Sequence, residues 1–321
     1  MCNLNFLIKT NNKKADPQND VLNAYNSACF NSFVENSDNE GFYFDHKNII
    51  MTSDQKINLF ENMTLFNNSN FVLGHERFST SGFSLDYAQP FKKDNFVFIH
   101  NGVVGEYAKD GHSDTYNLFN NFLKHFTRYI KSMARPTAIK KSIEKILKNK
   151  YGSFSIGIFD IEKQTLFYFK NESTSIYAIK NKRDSMLYLT TKNQNIDFLE
   201  IGNSDFKPFE IKNNTLYSIK ITSKNKISIK SKGILNFQIK PAKKEKDFYP
   251  MTYPDTYKKS IKYEKDKNEV YDLEFFKKAN SIKRGQVPFL CEICKTPTYN
   301  TKGDYYGIFC NSCLCELEDL V

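Results

Sequence analysis

Seven cysteines, at positions 2, 29, 291, 294, 310, 313 and 315, constrain this chain of 321 residues more than any other feature. Five of them lie beyond residue 290, and one stands directly after the first Met. A disulfide scaffold spreads its cysteines evenly through a short secreted chain. A chain this long, 40% apolar, can build a core without such staples. The segment Met1-Cys2-Asn3-Leu4-Asn5-Phe6-Leu7-Ile8-Lys9 has neither a basic stretch nor a small-residue cleavage site, so no secretory signal is expected. No apolar run approaches the roughly 18 residues of a membrane span. The expectation is a cytoplasmic protein without a membrane partner.

The terminal cysteines fall into two knuckles, Cys291-Glu292-Ile293-Cys294 and Cys310-Asn311-Ser312-Cys313, separated by fifteen residues. A CxxC turn presents two thiolates to one ion, and two such turns complete a tetrahedral site that zinc usually fills. Tyr305-Tyr306-Gly307-Ile308-Phe309 reads as a strand leading into the second knuckle, as in zinc ribbons. Four thiolates leave no open coordination position, so the metal would be structural. Cys315 is a bystander or exchanges with Cys313. Residues 286–321 are therefore expected to form a small zinc ribbon.

The rest of the chain reads as one layered α+β domain over residues 2–230. Short apolar runs at 4–8, 41–44, 49–51, 71–73 and 96–99 predict strands, the last ending at His100-Asn101-Gly102. Helical spacing appears at 17–33, 114–130 and 137–148, and alternation returns from Ser153 to Phe159. Cys29 falls on the apolar face of the first helix, where it reads as a buried small hydrophobe. Residues 231–285 differ in texture. Between Lys240 and Arg284 there are 13 basic and 8 acidic residues, so half of the chain's net +10 sits there. Interleaved tyrosines at 249, 253, 257, 263 and 271 accompany that charge. The segment reads as a solvated linker with one short helix. The sharper reading is an arm that tracks nucleic acid, with Lys holding phosphates and Tyr stacking bases.

Cys2 has a special chemical property. Once Met1 is removed, its thiol sits beside a free α-amine with a pKa near 7.7–8.0, which can serve as the thiol's own general base. Taken alone, a cysteine at that position is incidental. Three other segments supply what such a nucleophile would use. Gly74-His75-Glu76-Arg77-Phe78-Ser79-Thr80-Ser81-Gly82 sets an Arg beside a hydroxyl-rich turn, suited to a carboxylate. Asn101-Gly102 offers a side-chain amide and a glycine N–H, the two donors of an oxyanion hole. Ser113-Asp114-Thr115 opens a helix, where Asp114 is either an N-cap or the acceptor of a ligand ammonium. A thiol, an oxyanion hole, a carboxylate cradle and an ammonium acceptor together describe glutamine undergoing amide hydrolysis.

In this order the motifs resemble the class II glutamine amidotransferase domain, an N-terminal-nucleophile (Ntn) hydrolase fold built as a four-layer αββα sandwich. The resemblance runs over about residues 2–225 and includes Gln89-Pro90-Phe91 and Gly152-Ser153-Phe154. It implies Cys2 as nucleophile and Asn101 with the Gly102 amide as oxyanion hole. Arg77 and Thr80, beside Ser81, would take the glutamine α-carboxylate. Asp114 and the Gly102 carbonyl would take its α-ammonium. Asn3 stands where the family usually has Gly, Phe78 where Trp or Tyr is common, and Ser81 where some members have His. Too few residues follow the domain for a synthase, and no Gly-rich phosphate loop is present. The expectation is thus a glutaminase passing ammonia to a partner synthase in trans, with nucleotide or nucleic-acid modification as one context. Two other readings stand beside it: another Ntn amidase acting on a small γ-glutamyl or peptide amide, and a non-enzymatic zinc-ribbon binding protein on a retired scaffold.

Overall fold

Apolar residues at every second position of β1 (Asn3–Lys9) send Leu4, Phe6 and Ile8 to one face and Leu7 to the other, and all four are fully buried. A strand buried on both faces must lie between two layers, and the rest of the chain supplies them. The computed structural model describes residues 2–10, 18–35, 38–78, 85–108, 112–196, 206–237, 289–290 and 297–298. The chain divides into two units, Met1–Asp247 and Phe248–Val321.

In the first unit, β1 is followed by α1 (Gln18–Glu35), β2 (Asn39–Phe44), β3 (Ile49–Ser53), α2 (Met63–Asn68) and β4 (Phe71–Arg77). Then come β5 (Phe91–Lys93), β6 (Phe96–Val104), α3 (Asp114–Tyr129), α4 (Arg135–Leu147), β7 (Gly152–Asp160) and β8 (Thr165–Lys170). The strands β9 (Tyr177–Asn181), β10 (Met186–Thr190), β11 (Phe206–Pro208), β12 (Thr215–Ile221) and β13 (Ile227–Ile234) complete it. They form two antiparallel sheets, of order β11-β9-β10-β1-β4-β2-β3 and β13-β12-β8-β7-β6-β5.

Three apolar clusters show how the layers stack. Leu22, Tyr25, Ala28 and Cys29 of α1 and Phe66 of α2 pack on the outer face of the first sheet. Phe6, Leu73, Val97, Ile99 and Tyr168 fill the space between the sheets. Leu118 and Phe122 of α3 and Ile139 and Ile143 of α4 cover the outer face of the second sheet. The order helix, sheet, sheet, helix is the expected αββα sandwich. Cys29 is a buried packing residue, as read from its spacing.

Two local expectations are corrected. The strand read at 71–73 continues through Gly74-His75-Glu76 to Arg77, because partners on both sides take these polar residues into the sheet: β2 pairs Glu40 with Glu76, and β1 pairs Asn3 with Glu76. The strand read as ending at Ile99 runs on through His100-Asn101-Gly102 to Val104, held by β7 in the register Asn101↔Ser155 and Gly102↔Phe154. Gly102 permits this, with φ +132° and the carbonyl oxygen of Ser153 where a Cβ would stand.

In the second unit, β14 (Phe289–Leu290) and β15 (Pro297–Thr298) form an antiparallel pair, Phe289 opposite Thr298 and Leu290 opposite Pro297. The two strands bracket in sequence the first CxxC knuckle. Cys291, Cys294, Cys310, Cys313 and Cys315, the strand read at 305–309, and the basic segment from residue 238 onward lie outside the described residues.

Candidate active site

The pairing of β1 with β4 decides where Cys2 goes. Leu4 opposes His75 and Asn3 opposes Glu76, so the same register sets Cys2 across from Arg77. Both belong to the face that looks between the sheets, since Leu4 and Phe6 on β1 and Phe71 and Leu73 on β4 fill the central layer. The Cys2 thiol is half-buried and bonded to one residue in both directions. It donates to the Phe78 carbonyl at 3.3 Å and accepts from the Phe78 N–H at 3.3 Å. Burial pushes the thiol above its ordinary pKa; the Phe78 backbone and then the Arg77 guanidinium pull it down, and Asp114 pushes it up. The resting sulfur is therefore a thiol that needs a base, not a preformed thiolate.

Arg77 is buried in its turn. Burial disfavours its charge, and Cys2, Asp38 and Asp114 favour it. Cys2, Arg77 and Asp114 thus feel one another electrostatically although they stand before the start of β1, at the end of β4 and at the start of α3. Asp114 reaches this place because α3 begins where β6 ends. It occupies the first helical position, with Ser113 before it at the N-cap. That corrects the N-cap reading: its Oδ2 accepts from the Val104 N–H at 2.9 Å and its Oδ1 from the Thr115 N–H at 2.8 Å. The carboxylate so ties the helix start to the end of the strand that carries Asn101 and Gly102. The Thr115 hydroxyl donates to Oδ1 as well, at 3.4 Å, and each carboxylate oxygen can accept more than one bond.

Asn101, nearly buried, shares the inward face of β6 with Val97 and Ile99, and β1 and β6 lie against each other across the central layer. The stretch is clamped from behind by residues that spacing alone did not single out. The Gln89 carboxamide accepts from the His100 N–H at 2.7 Å and donates to the Thr115 hydroxyl at 3.2 Å. The His100 ring lies 3.0 Å from the same hydroxyl and 3.9 Å from Asp114. Burial lowers the pKa of His100, and burial together with Arg77 and His100 lowers that of His75 to about 3, so both rings are neutral at pH 7. On the opposite side of the first sheet, Asn5 fixes β1. Its amide donates to Glu76 at 2.8 Å and to Ser32 at 3.2 Å, and its oxygen accepts from Asn195 at 3.0 Å and from the Tyr188 hydroxyl. Gln89 was visible in sequence as part of a motif. Phe78 was visible as part of another motif, though not for the backbone contacts through which it acts, and Asn5 carried no sequence signal.

The structure accordingly brings Cys2, Arg77 and Asp114 into one electrostatic neighbourhood and sets Asn101 and Gly102 on the facing strand. Thr80 and Ser81 lie outside the described residues. Among the described residues no group of three or more His, Cys, Asp or Glu is placed to hold a metal ion. No helix among them is long and apolar enough to cross a membrane.

Solved structures share this architecture. The glutamine phosphoribosylpyrophosphate amidotransferase of B. subtilis aligns with a TM-score of 0.50 at 10% identity, over 74% of this chain and 50% of that one. A structure described as the allosteric regulatory enzyme of purine biosynthesis aligns with a TM-score of 0.51 at 12% identity, again over 74% and 50%. This chain spans about half the length of both. At such identities the likeness is one of fold. No family model matches the sequence, and no curated protein does.

Proposed function

We propose that this protein is a glutamine amidotransferase of the N-terminal-nucleophile type, hydrolysing glutamine to glutamate and ammonia through a thioester on Cys2. The observation that carries the reading is the electrostatic proximity of Cys2, Arg77 and Asp114, which stand before the start of β1, at the end of β4 and at the start of α3. With residue 1 removed, the freed α-amine takes the thiol proton and the sulfur attacks the side-chain amide carbon of glutamine. Asn101 and the Gly102 N–H donate to the resulting oxyanion. The protonated amine hands its proton to the departing nitrogen, ammonia leaves, and water cleaves the thioester. Arg77 binds the α-carboxylate, helped by Thr80 and Ser81, and Asp114 with the Gly102 carbonyl binds the α-ammonium. The raised thiol pKa supports a mechanism in which an adjacent base is required.

A synthase acting in trans would take the ammonia. The four cysteines Cys291, Cys294, Cys310 and Cys313 form a donor set suited to one structural zinc ion, and metal analysis of the purified chain should return about one zinc per molecule. The basic segment and that unit would dock the partner or a nucleic-acid substrate. The test of the catalytic reading is direct. Intact mass should show Cys2 at the N-terminus, and Cys2→Ala should abolish glutamate release, as should any extension that blocks the amine. Unchanged turnover in either case refutes the mechanism. Affinity capture with mass spectrometry would identify the synthase.

A further inference from the structure

We infer that the outer face of the second sheet carries a binding site for a compact polyphosphate group, separate from the Cys2 centre. A cavity of about 280 Å³ lies there between the start of α4 and the strands β8, β12 and β13. Arg135, Lys163, Lys220, Lys230 and Lys232 line it, with Asp160 as the one carboxylate among its lining residues. The charges do not cancel. Asp160 is held by Arg135 at 2.6 Å, and Glu162 at the rim is shared between Arg135 at 2.7 Å and Lys163 at 2.8 Å. Lys220, Lys230 and Lys232 then remain with no carboxylate partner among the described residues.

Those three lysines are set close together by the sheet. Lys230 opposes Ser218, which places Lys220, two residues along β12, on its diagonal at about 7–8 Å, within reach of long side chains. Lys232 follows Lys230 by two residues on the same strand. Exposed ammonium groups this near one another repel weakly through water, and an anion bound among them reverses the sign of that interaction. The fourth wall is a helix end. α4, thirteen residues long, begins at this cavity with Arg135 and Pro136, its N-cap Ala134 offers no side-chain acceptor, and no acidic residue stands in its first turn. Asp160 and Glu162, both bonded to Arg135 at the first helical position, offset that end's positive field, so the excess positive charge is carried by the lysines of β12 and β13. Thr165 and Ser218 at the base supply hydroxyls and Phe167 an apolar floor. A volume at the small end of ligand pockets, lined by three lysines with no carboxylate partner among the described residues, suits two or three linked phosphates better than an extended chain.

The site is remote from catalysis. Phe96 pairs with Asp160 at one end of the β6–β7 ladder and Asn101 with Ser155 towards the other, about 17 Å away along the strand. It also lies on the opposite face of the sheet from Asn101, and the inference stands whether or not Cys2 hydrolyses glutamine.

The experiment is calorimetric titration of the full chain with inorganic triphosphate, with ATP, and with a single-stranded oligonucleotide, each at low and at moderate salt. Triphosphate and ATP should bind, with affinity falling as salt rises. The surface variant Lys220→Gln/Lys230→Gln/Lys232→Gln should weaken both by about 10- to 100-fold while keeping the parent's denaturation midpoint. Lys230→Glu alone should weaken them in the same direction. Equal affinity in parent and triple variant, or binding of the oligonucleotide without triphosphate or ATP, would overturn the proposal.

Discussion

Gly102→Ala should damage both the fold and the chemistry, and a partner substitution separates the two. An alanine Cβ at Gly102 would stand 2.0 Å from the Ser153 carbonyl oxygen and 2.6 Å from its carbonyl carbon. Both distances are more than about 1 Å inside van der Waals contact. The atoms it meets are backbone of β7, so β6 and β7 must part locally. Separating them weakens ladder hydrogen bonds worth about 1 kcal/mol each. The residue is also held at φ +132°, which a side chain enters at about 1–3 kcal/mol. A loss of roughly 3–5 kcal/mol in unfolding free energy follows. Gly152 faces the same difficulty from the other strand, with φ +143° and the Val103 carbonyl oxygen 2.0 Å from its virtual Cβ. Gly152→Ala should therefore lose a similar amount of stability. Only Gly102 supplies an N–H to the proposed oxyanion, and displacing one such donor costs about 10²–10³ in kcat. Urea denaturation and glutamate release, measured on both variants below their unfolding transitions, give the comparison. Equal activity losses in the two variants would remove Gly102 from the oxyanion role. A Gly102→Ala protein as stable as the parent would refute the steric reasoning itself.

Asp114→Asn removes the negative charge and turns one of the two accepting oxygens into a donor, leaving either the Val104 or the Thr115 N–H without its acceptor, so the glutamine KM should rise about 10- to 100-fold and the unfolding free energy should fall by about 1–3 kcal/mol. A KM unchanged in steady-state assays would remove the residue from ammonium binding. Glu76, fully buried, has its carboxyl pushed up to about 8 by burial and then by Glu40, which it opposes across β2 and β4. A carboxyl raised in the fold contributes stability below its unfolded pKa and loses it as pH rises through the folded value. Stability should thus fall by roughly 1–2 kcal/mol between about pH 7 and pH 8.5, and Glu76→Gln should flatten that slope in urea titrations. A parallel slope in the variant would assign the dependence to another group. Cys29 is fully buried with its thiol pKa raised well above the ordinary value by burial, so iodoacetamide on native protein should label Cys2 well before Cys29 in peptide maps.

The layers were legible because their residues obey simple periods. Leu22, Tyr25, Ala28 and Cys29 recur at helical spacing and do cover the first sheet, and Phe96 to Ile99 alternate between the central and outer layers. What spacing missed were polar residues made into strand by their neighbours. His75, Glu76 and Arg77 look like a loop in sequence, yet Asn5 bonds to Glu76, and the Glu40 beside it is held by Lys56 at 2.6 Å. Burial of those groups depends on contacts between residues 16 and 71 positions apart, which no local window contains. The same holds for β6. A glycine after Asn101 signals a strand end unless a second glycine, Gly152, faces the ladder from the other side and lets the two backbones approach. The site shows the converse. Cys2, Arg77, Asn101 and Asp114 were recognisable as residue types with matching chemistry, while the positioning contacts made by the Phe78 backbone, Gln89 and Asn5 show only in three dimensions, even where the residue stands in a motif. Side chains that meet substrate are restricted to the few types able to do the chemistry. Positioning can be done by any group that reaches, including a backbone N–H that every residue but proline owns. A sequence can therefore name a nucleophile far more readily than it can name what aims it.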